Sequence, residues 1–259
     1  MPATTTSVDD FRTVRAEVLG RIADACARVG RDPSGVQLVA ISKTVDAERI
    51  RAAIDAGFLD LGENRVQEAE TKVPSLPGAH WDLVGPLQSN KAKRALETFD
   101  RIQSIDSVAL AERLDRLARD VRGASSGRRY PVLVQVNVDD DPSKAGFAPE
   151  ALDEALEAIA SLDALEVQGL MTIGRLVTDP EAARPTFVAL RALSEGLRGR
   201  SASLGAALSM GMTDDFETAV EEGATIVRVG RAIFGERPHV HGPGGSPHVH
   251  AAGECHPPG

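Results

Sequence analysis

Apolar residues in this chain follow two periods that alternate along most of its length. Between Val8 and Val29 they recur at helical spacing, with Val8, Phe11, Val14, Val18, Ile22 and Cys26 on one stripe, which predicts an amphipathic helix. Cys26 on that stripe reads as a core residue. The break RDPSG at 31–35 ends the helix, and residues 1–7 ahead of it read as a frayed start. Short, nearly unbroken apolar runs follow at 36–42, 59–63, 81–85, 101–105, 131–138, 165–173, 206–210 and 225–229. Runs of this length without alternation read as strands buried on both faces, as in parallel sheets covered by helices. Helical patterns lie between them, near 46–56, 65–72, 89–98, 107–120, 149–161, 180–198 and 214–222. The eight runs predict an α/β fold, a single closed (β/α)8 TIM barrel over 1–235 with one extra N-terminal helix. An open doubly wound sheet is the alternative. Residues 236–259 are rich in His, Gly and Pro and read as a disordered tail.

Composition narrows the function classes. A chain of 259 residues supports one sizeable core. Its net charge of -9 without a basic tract argues against nucleic acid or an anionic membrane as partner, but leaves room for a small anion in a local pocket. No apolar run is long enough to span a membrane, and MPATTTSVDD lacks the basic start and apolar stretch of a secretory signal. Cys26 and Cys255 lie near opposite ends of the chain, which predicts a reduced, cytoplasmic setting. In the tail, His239, His241, His248, His250, Cys255 and His256 are ligand types for Zn²⁺, Ni²⁺ or Cu²⁺. The two HVH repeats lack the spacing of a structural zinc site, so no metal is expected.

In a barrel of this kind, residues just after each strand converge on one site. The run LVAISK places Lys43 at the carboxyl end of the first strand. Burial disfavours an ammonium, so a lysine there becomes a better nucleophile, suited to Schiff bases with carbonyl compounds such as pyridoxal phosphate. A surface lysine opening a loop is the plainer alternative. Ser209 to Thr213 follows the seventh strand and precedes a helical stretch opening with Asp214 and Asp215. Small residues there let backbone amides approach an anion, and Gly230 after the eighth strand adds another close approach. A helix cap at Thr213 or Asp214 explains the same residues, and the two aspartates weigh against a neighbouring phosphate. Arg228 alternates with apolar neighbours in TIVRVG and so faces one side of a buried strand. It needs a partner there, either a carboxylate such as Glu63 or a ligand acceptor such as a pyridine nitrogen.

LVAISKT, GENRVQE, GPLQSNK, GLMTI, LSMGMTDDFETAV and VRVGRAIFG occur in this order along nearly the whole predicted barrel. Together they resemble the pyridoxal phosphate homeostasis family, also called YggS or PROSC, whose fold is the alanine racemase N-terminal domain. The resemblance implies a protein that carries and buffers pyridoxal 5'-phosphate (PLP), held as a Schiff base on Lys43, without substantial catalysis. It implies that Asn64, Asn90 and Met171 line the cofactor pocket, that Ser209, Gly211 and Gly230 hold the phosphate, and that Arg228 faces the pyridine nitrogen. Implied partners are PLP and the apo forms of enzymes that receive it, and a monomer is expected. Three positions depart from the family pattern: Asp82 replaces a histidine, Arg231 replaces a threonine, and GRLVTDP after GLMTI is poorer in proline.

A PLP-dependent amino-acid racemase or decarboxylase of the same fold is the competing reading. Racemases need a second base opposite the lysine, typically a tyrosine from an added domain. The single tyrosine, Tyr130, enters the fifth strand, where a core role is simpler. An aldolase using Lys43 with a sugar phosphate is a more distant possibility.

Overall fold

The structure is a computed structural model that describes residues 7–122, 128–174, 177–200 and 203–235. Among these, helix α1 (Val8–Arg28) precedes eight strands: β1 (Gln37–Ile41), β2 (Asp60–Glu63), β3 (His80–Leu83), β4 (Arg101–Ile105), β5 (Tyr130–Gln135), β6 (Leu165–Met171), β7 (Ala207–Ser209) and β8 (Ile226–Val229). Each strand pairs in parallel with the next, and β1 pairs with β8 from Gln37↔Ile226 to Ala40↔Val229, closing the barrel. The expected closed barrel therefore stands, and the open sheet does not. Helices α2 (Ala47–Asp55), α3 (Val66–Lys72), α4 (Ala92–Thr98), α5 (Val108–Arg122), α6 (Leu152–Ala160), α7 (Arg184–Arg198) and α8 (Phe216–Glu221) connect the strands, and α9 (Arg231–Phe234) follows the last.

Local chemistry moves several expected boundaries. Ser7 is not frayed: its hydroxyl accepts from the Asp10 N–H while the Asp10 carboxylate accepts from the Ser7 N–H, a reciprocal cap that starts α1. The expected helices at 89–98 and 180–198 each open with a 3₁₀ turn, Ser89–Lys91 and Pro180–Ala183. β5 stops at Gln135 because the chain beyond it pairs with a later loop. Phe147 N–H donates to Gln135 O and Asn137 N–H to Phe147 O. The expected tail at 236–259 lies outside the described residues, as do Arg175 and Leu176 of GRLVTDP.

Two cores result. The larger lies between the barrel and its helices, where α1 packs across α2, α8 and α9. Phe11 meets Phe58 and Phe234 edge-on, at 6.3 and 5.6 Å between ring centres. The smaller fills the barrel with Val39, Leu133, Met171 and Ile226. Inside the strands, alternation also buries polar side chains, namely Asp82, Arg101, Gln103, Gln135, Ser209 and Arg228. No described helix is long and apolar enough to cross a membrane.

Candidate functional site

Lys43 follows β1 on a tight turn whose flanking residues are pinned from below. Ser42 extends the strand ladder by donating N–H to Gly62 O at 3.0 Å, and its hydroxyl donates to Glu63 Oε1 at 2.8 Å. Thr44 sits at φ 65°, a backbone conformation unfavourable for a β-branched residue. Its N–H donates to Glu68 Oε1 at 2.5 Å, which holds it there. The Lys72 ammonium joins the parts, donating to Ser42 O (3.0 Å), Glu63 Oε1 (2.9 Å) and Glu68 Oε1 (2.6 Å). Burial pushes the Glu63 carboxyl above its ordinary range, with Lys72 and Ser42 opposing. In Glu68, burial also acts upward, but hydrogen bonds from Lys72 and the Thr44 N–H outweigh it and the carboxyl falls below its ordinary range. Lys43, partly buried, projects from this brace.

Lys43 borders a cavity of about 1090 Å³ at the carboxyl end of the barrel, lined by residues that follow β1, β6, β7 and β8 and by α1. The lining carries the cations Arg21, Lys43, Arg49, Arg228 and Arg231 against the carboxylates Asp214 and Asp215. In a chain of net charge -9 this is a local reversal of sign, and it suits an anion. The aspartates are themselves occupied: Asp214 pairs with Arg231, and Asp215 Oδ1 accepts from the Met212 N–H at 2.6 Å. The objection they raised to a nearby phosphate is thereby weakened.

Arg228 is 4% exposed and reaches the cavity from inside the barrel. Neither Glu63 nor another carboxylate is its described hydrogen-bond partner. Its Nη1 donates to Ser209 Oγ at 2.7 Å and its Nη2 to Thr172 O at 2.8 Å. Burial lowers this guanidinium to about 10, with Asp215 opposing, so it stays charged at neutral pH.

The remaining expected site residues divide into two groups. Gly230 lines the cavity, and its N–H donates to Thr213 Oγ1 at 3.3 Å. Gly211 stands behind it at φ 88°, where a Cβ would come within 2.5 Å of Ala219 Cβ. Its carbonyl accepts from the Arg228 N–H at 3.0 Å. Met171 closes the inner apolar cluster. The hydroxyl of Ser209, expected on the phosphate, is fully buried and donates its single proton to Gln103 Oε1 at 2.6 Å. Asn64 and Asn90 follow β2 and β3 but are not among the lining residues. Asn90 is exposed on its 3₁₀ turn, while the Asn64 backbone packs so closely on Gly85 that a Cβ there would lie 2.2 Å from Asn64 O.

Sequence reasoning missed Arg21 and Arg49, because nothing local places α1 or α2 at the cavity mouth. Arg21 lies 4.5 Å over the Phe216 ring and donates to Glu217 at 2.8 Å. Arg49 donates to Phe234 O at 2.7 Å. The Lys72 brace was also missed, although Glu68 and Lys72 are spaced i,i+4 and so share one face of α3.

The family model of the alanine racemase N-terminal domain matches residues 19–238. The pyridoxal phosphate homeostasis protein of Escherichia coli is 40% identical over 239 residues, covering 89% of this chain and 98% of its own. That of Pseudomonas aeruginosa is 40% identical over 226 residues, covering 86% and 94%. Among solved structures, PipY of Synechococcus elongatus with PLP bound superposes with a TM-score of 0.72 at 41% identity, over 83% of this chain and all (100%) of its own. An alanine racemase of Clostridium difficile shares the fold at TM-score 0.68 with 14% identity, over 91% of this chain and 58% of its own. With its closed barrel and near full-length relatives at this identity, the chain belongs to the pyridoxal phosphate homeostasis proteins, built on the alanine racemase N-terminal domain.

Proposed function

We propose that this protein binds PLP in the cavity and carries and buffers it, with Lys43 as the amine that joins the cofactor in a Schiff base. The observation that carries this reading is one cation-rich cavity where Lys43, Arg228 and the Thr213–Gly230 edge all meet. The donor set fits the group. PLP brings a carbonyl for an amine, a phosphate for cations and backbone N–H groups, and a ring nitrogen for a donor. When bound, it supplies a reactive carbonyl and an electron-withdrawing ring. Lys43 presents the amine from its pinned turn, Gly230 and Arg231 face the phosphate, and Gly211 keeps the wall behind them thin. Asn64 and Asn90 then belong to the approaches of the site, and Met171 to the apolar cluster inside the barrel.

The same geometry favours a carrier over an amino-acid enzyme. Arg228 keeps its proton and offers only donors, so the ring nitrogen facing it stays an unprotonated acceptor and a poor electron sink. Tyr130, the single tyrosine, is buried at the amino end of β5 with its hydroxyl on Phe99 O at 2.6 Å, away from the end that carries Lys43. On this reading the working form is a cytoplasmic monomer, and apo PLP-dependent enzymes receive the cofactor.

The test is a visible absorption spectrum with PLP before and after borohydride, followed by peptide mapping. The reduced adduct belongs on Lys43, and Lys43→Ala abolishes it while leaving the fold intact. An adduct on Lys91 or Lys144 instead overturns the assignment. Incubation with L-alanine in deuterated water gives little α-exchange, whereas turnover near ~10 s⁻¹ on any amino acid sinks the carrier reading.

A further inference from the structure

We infer that Gln103, which does not line the cavity, orients Arg228 toward the ring nitrogen of the cofactor through a hydrogen-bond chain of fixed polarity that begins at Asp82. The inference rests on the PLP-binding reading above and adds two positioning residues, Gln103 and Ser209.

The polarity follows link by link. Asp82 is 2% exposed and meets the Arg101 guanidinium with both oxygens, Oδ1 to Nε at 3.0 Å and Oδ2 to Nη2 at 2.6 Å. Burial pushes this carboxyl up and Arg101 and Gln103 oppose it; with guanidinium N–H groups on both oxygens, Asp82 takes the accepting role in the chain. The Gln103 amide lies 2.6 Å from Asp82 Oδ2, so its NH₂ must face the carboxylate, because two acceptors would repel. That choice turns Gln103 Oε1 toward Ser209 Oγ at 2.6 Å, where it can only accept. Ser209 has one hydroxyl proton and gives it to Gln103. Only its lone pairs are left, and they accept from Arg228 Nη1 at 2.7 Å. Gln103 and Ser209 are fully buried, so no bulk water competes for these groups.

The far side of the chain cannot reverse either. Arg101 Nη2 also donates to Gln37 Oε1 at 2.9 Å, and Gln37 Nε2 donates to Asp60 Oδ1 at 2.6 Å. Carboxylates therefore terminate the network beyond Arg101 as well. At the other end, Thr172 O fixes Arg228 Nη2 at 2.8 Å. With Nη1 and Nη2 both anchored, the guanidinium plane is set, and its remaining N–H groups are the ones left for the cavity. The departure from the family pattern at Asp82 thus lies in the network that holds Arg228.

The experiment separates the ring nitrogen from the phosphate. Dissociation constants are measured for PLP and for 1-deazapyridoxal 5'-phosphate, in which a C–H replaces the ring nitrogen. The proteins are wild type, Gln103→Leu, Ser209→Ala and Ser209→Thr. Wild type is expected to prefer PLP by about tenfold or more, the scale of a hydrogen bond to a charged group. Gln103→Leu and Ser209→Ala each bring that ratio toward one by weakening PLP, while the carbon analogue binds as before. Ser209→Thr keeps the hydroxyl and the preference. Equal weakening of both ligands overturns the inference, since it places Ser209 and Gln103 on the phosphate or on general stability. A wild-type ratio of one, or a ratio unchanged in the variants, overturns it too. Should Gln103→Leu fail to fold, the two Ser209 variants decide alone. The borohydride adduct on wild-type Lys43 is scored separately. Its absence refutes the binding reading, whereas its presence with an unchanged ratio refutes only the chain.

Discussion

Replacing Lys72 by methionine tests the brace beneath Lys43. The substitution keeps much of the side-chain bulk and removes the ammonium. In the folded protein the Lys72 side chain is 11% exposed and Glu63 is 0% exposed. Glu63 Oε2 already has no hydrogen-bond partner. Without Lys72, the Glu63 carboxylate keeps only the Ser42 hydroxyl on Oε1. Breaking a buried pair from one side costs about 3–5 kcal/mol, because the remaining charge stays desolvated. For a chain of this size that lowers the thermal midpoint by roughly 6–20 °C. The loss should depend on pH. Burial already holds the Glu63 carboxyl above 4.5, with Lys72 opposing, so removing Lys72 raises it further. A carboxyl raised in the folded state contributes stability below its unfolded value and loses it as pH rises through the folded value. The deficit should therefore grow as pH rises above the ordinary carboxyl range, by at most ~1.4 kcal/mol per pH unit. Thermal and urea unfolding followed by circular dichroism measure both quantities. A deficit under ~1 kcal/mol, the range of an exposed pair, or one that is flat with pH, would refute the reasoning. PLP titration provides a second readout, since Ser42 and Thr44 lose their common anchor and affinity should fall.

Three further substitutions probe other parts of the molecule. Gly211→Ala forces a side chain into a left-handed conformation and toward Ala219, costing about 1–3 kcal/mol from the backbone alone; an unchanged melting midpoint would contradict this. Arg231→Thr removes a pair with Asp214 in which both side chains are about half exposed, 48% and 46%, so stability should change by less than ~1 kcal/mol. PLP retention should weaken in that variant, and tighter retention would show that Arg231 is no phosphate ligand. Arg184→Met tests acid stability at the α7–α8 cluster. Arg184 and Arg28 hold the Glu221 carboxyl below its ordinary 4.5, so that group stabilises the fold above pH 4.5 and the contribution is lost as pH falls through the depressed value. The variant should lose stability at neutral pH and differ less from wild type in acid, as read from unfolding midpoints across pH.

The hydrophobic pattern determined the succession of eight parallel strands and their helices, and the pairing of β1 with β8 decided for the closed barrel over the open sheet. Alternation of short apolar runs with amphipathic stretches is a local property, and parallel strands joined by helices must present their carboxyl ends on one side. That much placed Lys43, Gly230 and Arg228 together before any contact was known. The partners of those groups were not legible. Glu63 was a plausible counterion for Arg228, yet it serves Lys72 and Ser42 instead. Ser209 sits in a stretch suited to holding phosphate, yet its hydroxyl proton goes to Gln103, 106 positions away in the chain. Arg21 reaches the cavity only because α1 packs against the barrel beside α8. Burial leaves each polar group one or two partners within reach, and closure of the barrel brings those partners from distant strands. Sequence spacing therefore decides which end of a strand bears the chemistry, and packing decides which way each hydrogen bond points.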